Sequence, residues 1–379
     1  MIRIPFNRPF ATGAELDYIR AVMATPKFSG DGSFTARCHS LLEHSLNVQK
    51  ALLTTSCTHA LEMAALLLNL KAGDDVLVPS FNFPSAANAF VLRGARPVFA
   101  DIRADTLNID ENRIEQRLTD RTKAIFLVHY AGVGCEMDTI MAIARRHGLA
   151  VVEDNAHGLF GKYRGRFLGT IGQLATLSFH ETKNFTCGEG GALLINDERF
   201  NQRAEILREK GTDRTRFFRG EIDKYTWVDV GSSYLPSDVL AAFLLAQLEC
   251  RERIQSMRRH IWETYANELA SWAEANRVRL PIVPAECEQT YHMFYMIMPT
   301  QESRRALISH LAGYGILSVF HYLPLHLSPM GLRFGGRQND CPVAEDLADR
   351  LLRLPFYTGM NSSEQSQVIE ALRAFRCQV

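Results

Sequence analysis

The sequence predicts an α/β protein built on a mostly parallel sheet of seven strands, followed by a smaller α+β unit. Two observations predict this. Short apolar runs alternate with stretches of helical periodicity through the first half, a pattern that gives parallel strands covered on both faces. Beyond this the order changes to a long helical pattern and then mixed segments, so we divide the chain into residues 1–245 and 246–379.

In order, Met1 to Ala11 reads as an extended arm broken by Pro5 and Pro9, and Thr12-Gly-Ala-Glu15 reads as a capping box opening a helix to Met23. A turn at Gly30-Asp-Gly32 precedes a helix from Phe34 to Leu46. The expected strands are Ala51–Thr54, Asp75–Pro79, Pro97–Asp101, Ala124–His129, Ala150–Glu153, Leu174–Phe179 and Gly191–Ile195. Between them Ala60–Leu70, Ser85–Leu92 and Asp138–His147 carry helical periodicity. A long helical pattern runs from Ser237 towards Leu269. Strand-like Tyr291–Met298, helical Glu302–Leu311, strand-like Ile316–Tyr322, and helices over Val343–Leu352 and Ser363–Ala374 complete the chain.

Composition excludes several classes of function. With 379 residues, 46% of them hydrophobic, the chain buries a substantial core, and 42 basic residues balance 42 acidic ones. No net field draws nucleic acid or an anionic membrane. The cysteines at 38, 57, 135, 187, 250, 287, 341 and 377 have no C-x-x-C spacing, which suits reduced thiols rather than a disulfide frame or a metal site. The start, Met1-Ile-Arg-Ile-Pro-Phe-Asn7, lacks an apolar core before a cleavage site, and nowhere do enough apolar residues run together to cross a membrane. The expectation is a cytoplasmic protein.

The stretch Leu177 to Ile195 places one lysine, Lys183, on a connector between two strands, with Gly188, Gly190 and Gly191 behind it. A phosphate-binding G-x-x-x-x-G-K-[ST] loop has the reverse order, glycines before the lysine and a helix after it. What needs an amine on a rigid turn is covalent chemistry, a Schiff base with a carbonyl such as that of pyridoxal phosphate. Alone, a loop lysine is an ordinary surface charge. Its partners belong outside the carboxyl ends of the parallel strands.

Several candidates fall there. Asp154 ends a buried strand, where an acid needs a cation opposite or serves as a helix cap; with a cation it would face the protonated ring nitrogen of the cofactor, and His157 would orient a neighbouring group. Thr55-Ser-Cys57-Thr58 opens a helix and offers N–H groups and hydroxyls to a phosphate, or is a plain cap. Phe83 follows another strand and could stack on a ring or sit in the core. His129 and Tyr130 end a further strand, with a satisfied structural histidine as the plain reading. Together they share one edge of one sheet.

These motifs resemble the DegT-type nucleotide-sugar aminotransferases over nearly the whole chain. The resemblance implies a type I pyridoxal-phosphate transferase fold, with Lys183 as the cofactor-bearing lysine and Asp154 as the ring-nitrogen acid. It also implies cofactor contacts from Cys57, Thr58, Phe83, His157 and Ser178. Gly30-Asp-Gly32, His129 to Asp138, Phe217-Phe-Arg-Gly220, Asp223 to Trp227 and Val319 to His326 are most similar to the sub-group that aminates a dTDP-linked 4-oxo-6-deoxyglucose for surface polysaccharide. That sub-group implies substrate contacts from His129, Tyr130, Tyr225, His321 and His326. The family's usual Asn-Tyr-Arg is Ser233-Tyr-Leu here, and its usual Gln after the acid is His157. A homodimer is implied, with Ser233 reaching the other subunit's cofactor phosphate.

The implied reaction is transamination, with L-glutamate as the expected donor and Lys183 moving the proton. An ordinary lysine near pKa ~10.4 is a poor base at neutrality, and lowering it to ~7 to 8 takes roughly 3 to 5 kcal/mol from desolvation and neighbouring charge. Three alternatives stay open. A sugar dehydratase of this fold would carry histidine in place of Lys183. A non-catalytic regulator would have an unreactive lysine, and an amino-acid aminotransferase would need a dedicated arginine for a side-chain carboxylate, which the sequence does not mark.

Overall fold

Runs such as Val76-Leu77-Val78 and Ala192-Leu193-Leu194-Ile195 are buried along their whole length, so they need cover on both faces, and a sheet between helical layers supplies it. The computed structural model describes residues 2–377. Its strands are β1 (Lys50–Thr54), β2 (Asp75–Pro79), β3 (Arg96–Ala100), β4 (Thr122–Val128), β5 (Ala150–Asp154), a short hairpin of β6 (Lys162–Tyr163) and β7 (Arg166–Phe167), β8 (Leu174–Ser178), β9 (Gly191–Ile195), β10 (Cys287–Glu288), β11 (Tyr295–Ile297) and β12 (Leu351–Arg353). Seven form the main sheet in the order β1-β9-β8-β5-β4-β2-β3. Only β9 runs against the rest. The expected mostly parallel seven-stranded sheet is therefore present.

Helices Cys57–Leu67 and Pro84–Val91 pack Ala60, Leu61, Met63 and Phe90 against Leu52, Val78, Phe126 and Val152 on one face of the sheet. On the other, helices Ser33–Leu46 and Asp238–Glu249 cover Leu53, Leu177 and Leu194, while Met137–His147 covers Ile125, Leu127 and Val151. A separate core gathers Tyr265, Leu269, Phe294, Met296, Leu307, Leu352 and Leu372 from the C-terminal third.

The structure departs from the sequence reading at several places. The pattern from Ser237 to Leu269 is two helices, Asp238–Glu249 and Arg251–Ala275, parted at Cys250. Ile316–Tyr322 forms no strand, and its β-pairing is limited to isolated bridges at Ile316 and Val319, among the described residues. Its place beside β11 is taken by β12, whose Leu351 and Leu352 satisfied a helical period equally well. The helix Pro342–Arg350 stops short, with its C-cap Leu351 already extended. Half of the capping box forms: the Glu15 carboxylate accepts from Thr12 N at 2.7 Å, while the Thr12 hydroxyl accepts from Ala14 N instead of Glu15 N. The N-terminal arm, grouped with residues 1–245 in the sequence reading, packs Ile4 into the C-terminal core and pairs with Ile316.

Strand β9 begins beside the turn that opens helix Cys57–Leu67, and the fit is tight. A Cβ on Gly191 would lie 2.3 Å from the Ser56 carbonyl carbon and 2.4 Å from Cys57 N, both backbone atoms that cannot swing aside. Gly191→Ala should push the turn away and cost roughly 1–3 kcal/mol by overpacking. Urea unfolding compared with wild type checks this, and an unchanged midpoint would show that the turn yields freely.

Candidate functional site

The carboxyl ends of the parallel strands open onto a cavity of about 700 Å³, a size suited to a small organic ligand. After β1, the chain extends through Ser56 and enters helix Cys57–Leu67. The Ser56 hydroxyl accepts from His59 N at 3.1 Å, and the Thr58 and Ser85 hydroxyls meet at 2.8 Å. All three line the cavity. A helix N-terminus with hydroxyls around it is a dianion site by geometry and dipole together. Ser178, at the end of β8, adds a further hydroxyl on the wall.

Asp154 ends β5 and is 5% exposed. Its carboxylate accepts from Ala156 N at 3.1 Å and has the Cys57 thiol at 4.0 Å, with no cation in ion-pair contact among the described residues. Burial pushes its carboxyl above the usual range, against the opposing pull of the Ala156 amide and the Lys183 charge. It is a buried acid that calls for a positive partner.

Lys183 follows β8 on a loop whose ends are clamped by Phe179 N to Gly190 O at 2.8 Å and Cys187 N to Phe179 O at 3.0 Å. Its own N–H donates to His180 O at 2.9 Å. The next residue, Asn184, donates to Thr290 O at 2.7 Å and faces His292 Nδ1 at 2.9 Å, which ties the loop to the C-terminal part of the chain. Burial pushes the Lys183 amine below the ordinary lysine range, and the charge of Arg353 adds to that shift. A neutral amine is the nucleophilic form.

The far wall is aromatic and basic. His157 stacks on His292 at 4.3 Å, and burial pushes both rings well below the ordinary histidine range, so they are neutral near pH 7. His321 lines the cavity and meets the Tyr130 hydroxyl at 2.7 Å behind it. Phe83, the residue before helix Pro84–Val91, stands on the rim and is largely exposed. Three buried polar atoms on this wall have no partner: Asn82 Nδ2, His157 Nδ1 and Arg353 Nε. Unpaired groups converging on one cavity mark where a polar ligand belongs.

The structure thus brings Cys57, Thr58, Phe83, Asp154, His157, Ser178, Lys183 and His321 to one cavity. It places the other expected residues elsewhere. His129 is fully buried, with Nε2 2.8 Å from Glu153 and Nδ1 accepting from Cys135 N at 3.2 Å. Successive strand residues face opposite ways. Val128 and its partner Asp154 line the cavity, so His129 and Glu153 lie behind the sheet. His326 is likewise consumed, by Ser80 Oγ at 2.5 Å and Glu345 at 3.0 Å. Tyr130 stands behind the wall, with its hydroxyl on His321 and its ring edge-on to His157 and Tyr322. Tyr225 packs edge-on against Phe217 in an exposed segment, Ser233 is exposed, and neither lines the cavity. The sequence reading missed Asn82, His292 and Arg353, whose only signals were their places at or near strand ends.

The residues fit pyridoxal phosphate: hydroxyls at a helix N-terminus for its phosphate, an unpaired buried acid for its ring nitrogen and a desolvated lysine for its aldehyde. Among the described residues no group of His, Cys, Asp or Glu is arranged to hold a metal ion, and no helix is long and apolar enough to cross a membrane.

Comparison with known proteins agrees with this geometry. The model of the DegT/DnrJ/EryC1/StrS aminotransferase family matches residues 10–373. GDP-perosamine synthase of Escherichia coli O157:H7 is 30% identical, covering 98% of each chain. The aminotransferase TlmJ from Streptoalloteichus hindustanus superposes with a TM-score of 0.89 at 30% identity, over 99% of this chain and 98% of that one. A putative sugar aminotransferase from Streptococcus pneumoniae, Spr1654, has a TM-score of 0.91 in its PMP form at 26% identity, over 98% of both chains.

The buried acid yields a pH prediction for the cofactor-free protein. A carboxyl raised on folding binds its proton more tightly in the native state, so its penalty is absent below the ordinary value of 3.8 and grows as pH rises through the folded value. Asp154→Asn keeps the acceptor for Ala156 N and removes the charge. Without cofactor, the variant should melt above wild type at pH 7, and the gap should close towards pH 4. A variant that melts lower at pH 7 would mean that Asp154 is stabilised by another group.

Proposed function

Since the chain belongs to the DegT/DnrJ/EryC1/StrS aminotransferase family, whose enzymes depend on pyridoxal phosphate, we propose that it moves an amino group from L-glutamate to the 4-keto carbon of a nucleotide-linked 4-keto-6-deoxy sugar. The observation that carries the reading is one cavity holding a desolvated lysine opposite an unpaired acid. When bound, the cofactor supplies an electron sink for a carbanion. Lys183 would hold it through its amine and would serve as the base that moves the proton. Asp154 would face its ring nitrogen, and a positive charge there would favour the ionised form of the acid. Thr58, Ser178 and the amides after Ser56 would hold the phosphate, Phe83 and His157 would contact the cofactor, and His321 would face the substrate. His129, His326 and Tyr130 support the walls instead.

For the nucleotide we propose dTDP, on the sub-group motifs read in the sequence. A GDP-linked sugar is the second reading, favoured by the similarity to GDP-perosamine synthase. The product would serve surface-polysaccharide synthesis. Incubating the enzyme with L-glutamate and each 4-keto-6-deoxy sugar nucleotide, followed by NMR of the product, separates the two. Lys183→Ala should abolish turnover and change the visible absorption of the bound cofactor while the protein stays folded. Turnover above a trace would end the assignment of Lys183.

We also propose a homodimer with shared sites. Phe218 and Trp227 are 69% and 76% exposed, with Val228 and Val230 beside them, an apolar surface unusual for a monomer. Ser233 follows this surface and does not line its own cavity, which supports a role at the phosphate of a second copy. Ser233→Asp should then weaken cofactor binding by charge repulsion. Co-expressed in equal amounts, Lys183→Ala and Ser233→Asp chains form about half mixed dimers, each with one intact site, so roughly a quarter of wild-type activity should return. Only the sum of the two parents' activities, with subunit exchange demonstrated, would assign Ser233 to its own chain.

A further inference from the structure

His292 lines the cavity, and the mechanism above gives it no task. It closes the segment Thr290-Tyr291-His292, just ahead of β11. Tyr291 has a φ of +52°, a left-handed backbone conformation that is costly for a residue with a bulky side chain. Arg258, from helix Arg251–Ala275, holds this kink: its Nε donates to the Tyr291 carbonyl at 3.0 Å and its Nη2 to the His292 carbonyl at 2.5 Å, while Nη1 donates to the Thr358 hydroxyl at 3.1 Å. Strain kept in place by such a clamp fixes where the next side chain goes.

The segment reaches two residues of the site, each by two routes. The Thr290 hydroxyl donates to His157 O at 2.6 Å, and the His292 ring stacks on the His157 ring at 4.3 Å. Thr290 O accepts from Asn184 Nδ2 at 2.7 Å, and His292 Nδ1 meets Asn184 Oδ1 at 2.9 Å. A backbone carbonyl can only accept, so the amide turns its NH2 to Thr290 and its oxygen to His292, and the proton of the His292 ring is on Nδ1. Asn184 is joined directly to Lys183. One ring therefore stands between the lysine loop and His157.

We propose that His292 is a positioning residue that sets Lys183 and His157 towards one bound cofactor through two separable contacts. This rests on the pyridoxal-phosphate reading of the cavity and extends it by naming what keeps two of its walls in register. The hydrogen bond acts on the lysine. Without it Asn184 Oδ1 is buried and short of a partner, and the loop gains freedom beside the residue that carries the amine. The stack acts on the ring contact, because it is the face on which His157 rests. Burial keeps both rings neutral, so what His292 supplies is place and not charge.

The test uses the cofactor-free protein, two ligands and two variants, with affinities measured by calorimetry. Pyridoxal phosphate joins Lys183 when the amine nitrogen bonds to the aldehyde carbon and the aldehyde oxygen leaves as water. Pyridoxamine phosphate has an amine in place of the aldehyde and makes only the ring and phosphate contacts. His292→Phe keeps an aromatic face and removes the Nδ1 donor, whereas His292→Asn puts an amide where Nδ1 stood and removes the face. For His292→Phe, pyridoxamine phosphate should bind as in wild type, while the preference for pyridoxal phosphate over it should fall roughly tenfold, as for one lost buried hydrogen bond. For His292→Asn the preference should hold, and both ligands should weaken together by roughly three- to tenfold, as for one lost aromatic contact. Two variants that match wild type, or two that weaken both ligands by one common factor, would reduce His292 to packing and overturn the proposal. A wild-type protein that binds neither ligand would overturn the cofactor reading with it, whereas a wild type that binds both, without the crossed pattern in the variants, would sink this inference alone.

Discussion

Asp154 ends β5 and Lys183 sits on the loop that follows its neighbour β8; the two line the same cavity and form no ion pair with each other. Burial acts on both, raising the acid and lowering the amine, so in each case it favours the neutral form. A pair brought into contact would settle as a salt bridge, and the lysine would be lost as a nucleophile. Held apart, each waits for a partner that the protein does not itself contain. The rest of the site serves that separation: the loop clamps at Phe179 keep Lys183 in place, and the Ala156 amide fixes the Asp154 carboxylate.

The opposite arrangement lies just behind it. Glu153, next in sequence to Asp154, is fully buried but faces the other way. Burial would raise its carboxyl, yet the His129 hydrogen bond and charge, with the amides of Gly172 and Gly169, hold it below the usual range. One acid is saturated with partners and the other starved of them. The difference is one step of strand pleat.

That step explains what was legible in the sequence. Strands in a doubly covered sheet are apolar on both faces, so the seven strands could be read from composition, and residues just past their ends could be assigned to one edge. Lys183, Asp154 and the turn at Cys57 and Thr58 were found this way. Which side of the sheet a strand-end residue faces depends on register, and a uniformly apolar strand carries no alternation to reveal it. His129 was therefore placed with Asp154, although it pairs with Glu153 behind. His292 and Arg353 were invisible for another reason. They come from a distant part of the chain, and stacking on His157 or closing over the cavity is a tertiary event that leaves no local pattern. The assignment of β12 to a helix hid Arg353 further, because a strand end is a place to look for site residues and a helix end is not.

The exposed apolar segment is mechanically joined to the phosphate turn. Tyr234 accepts from Thr55 N at 2.9 Å and donates through its own N–H to Arg208 O at 3.2 Å, while the Arg208 side chain holds Leu53 O at 2.7 Å. Ser232 N and Lys210 N extend the same ladder. The backbone that carries Trp227 and Ser233 therefore ends on the residues that form the dianion site. Any protein surface that orders this segment also orders the turn, because few degrees of freedom remain between them. The entropy of fixing the turn is then spent when the outer segment is covered, and a phosphate arriving later meets donors already in position.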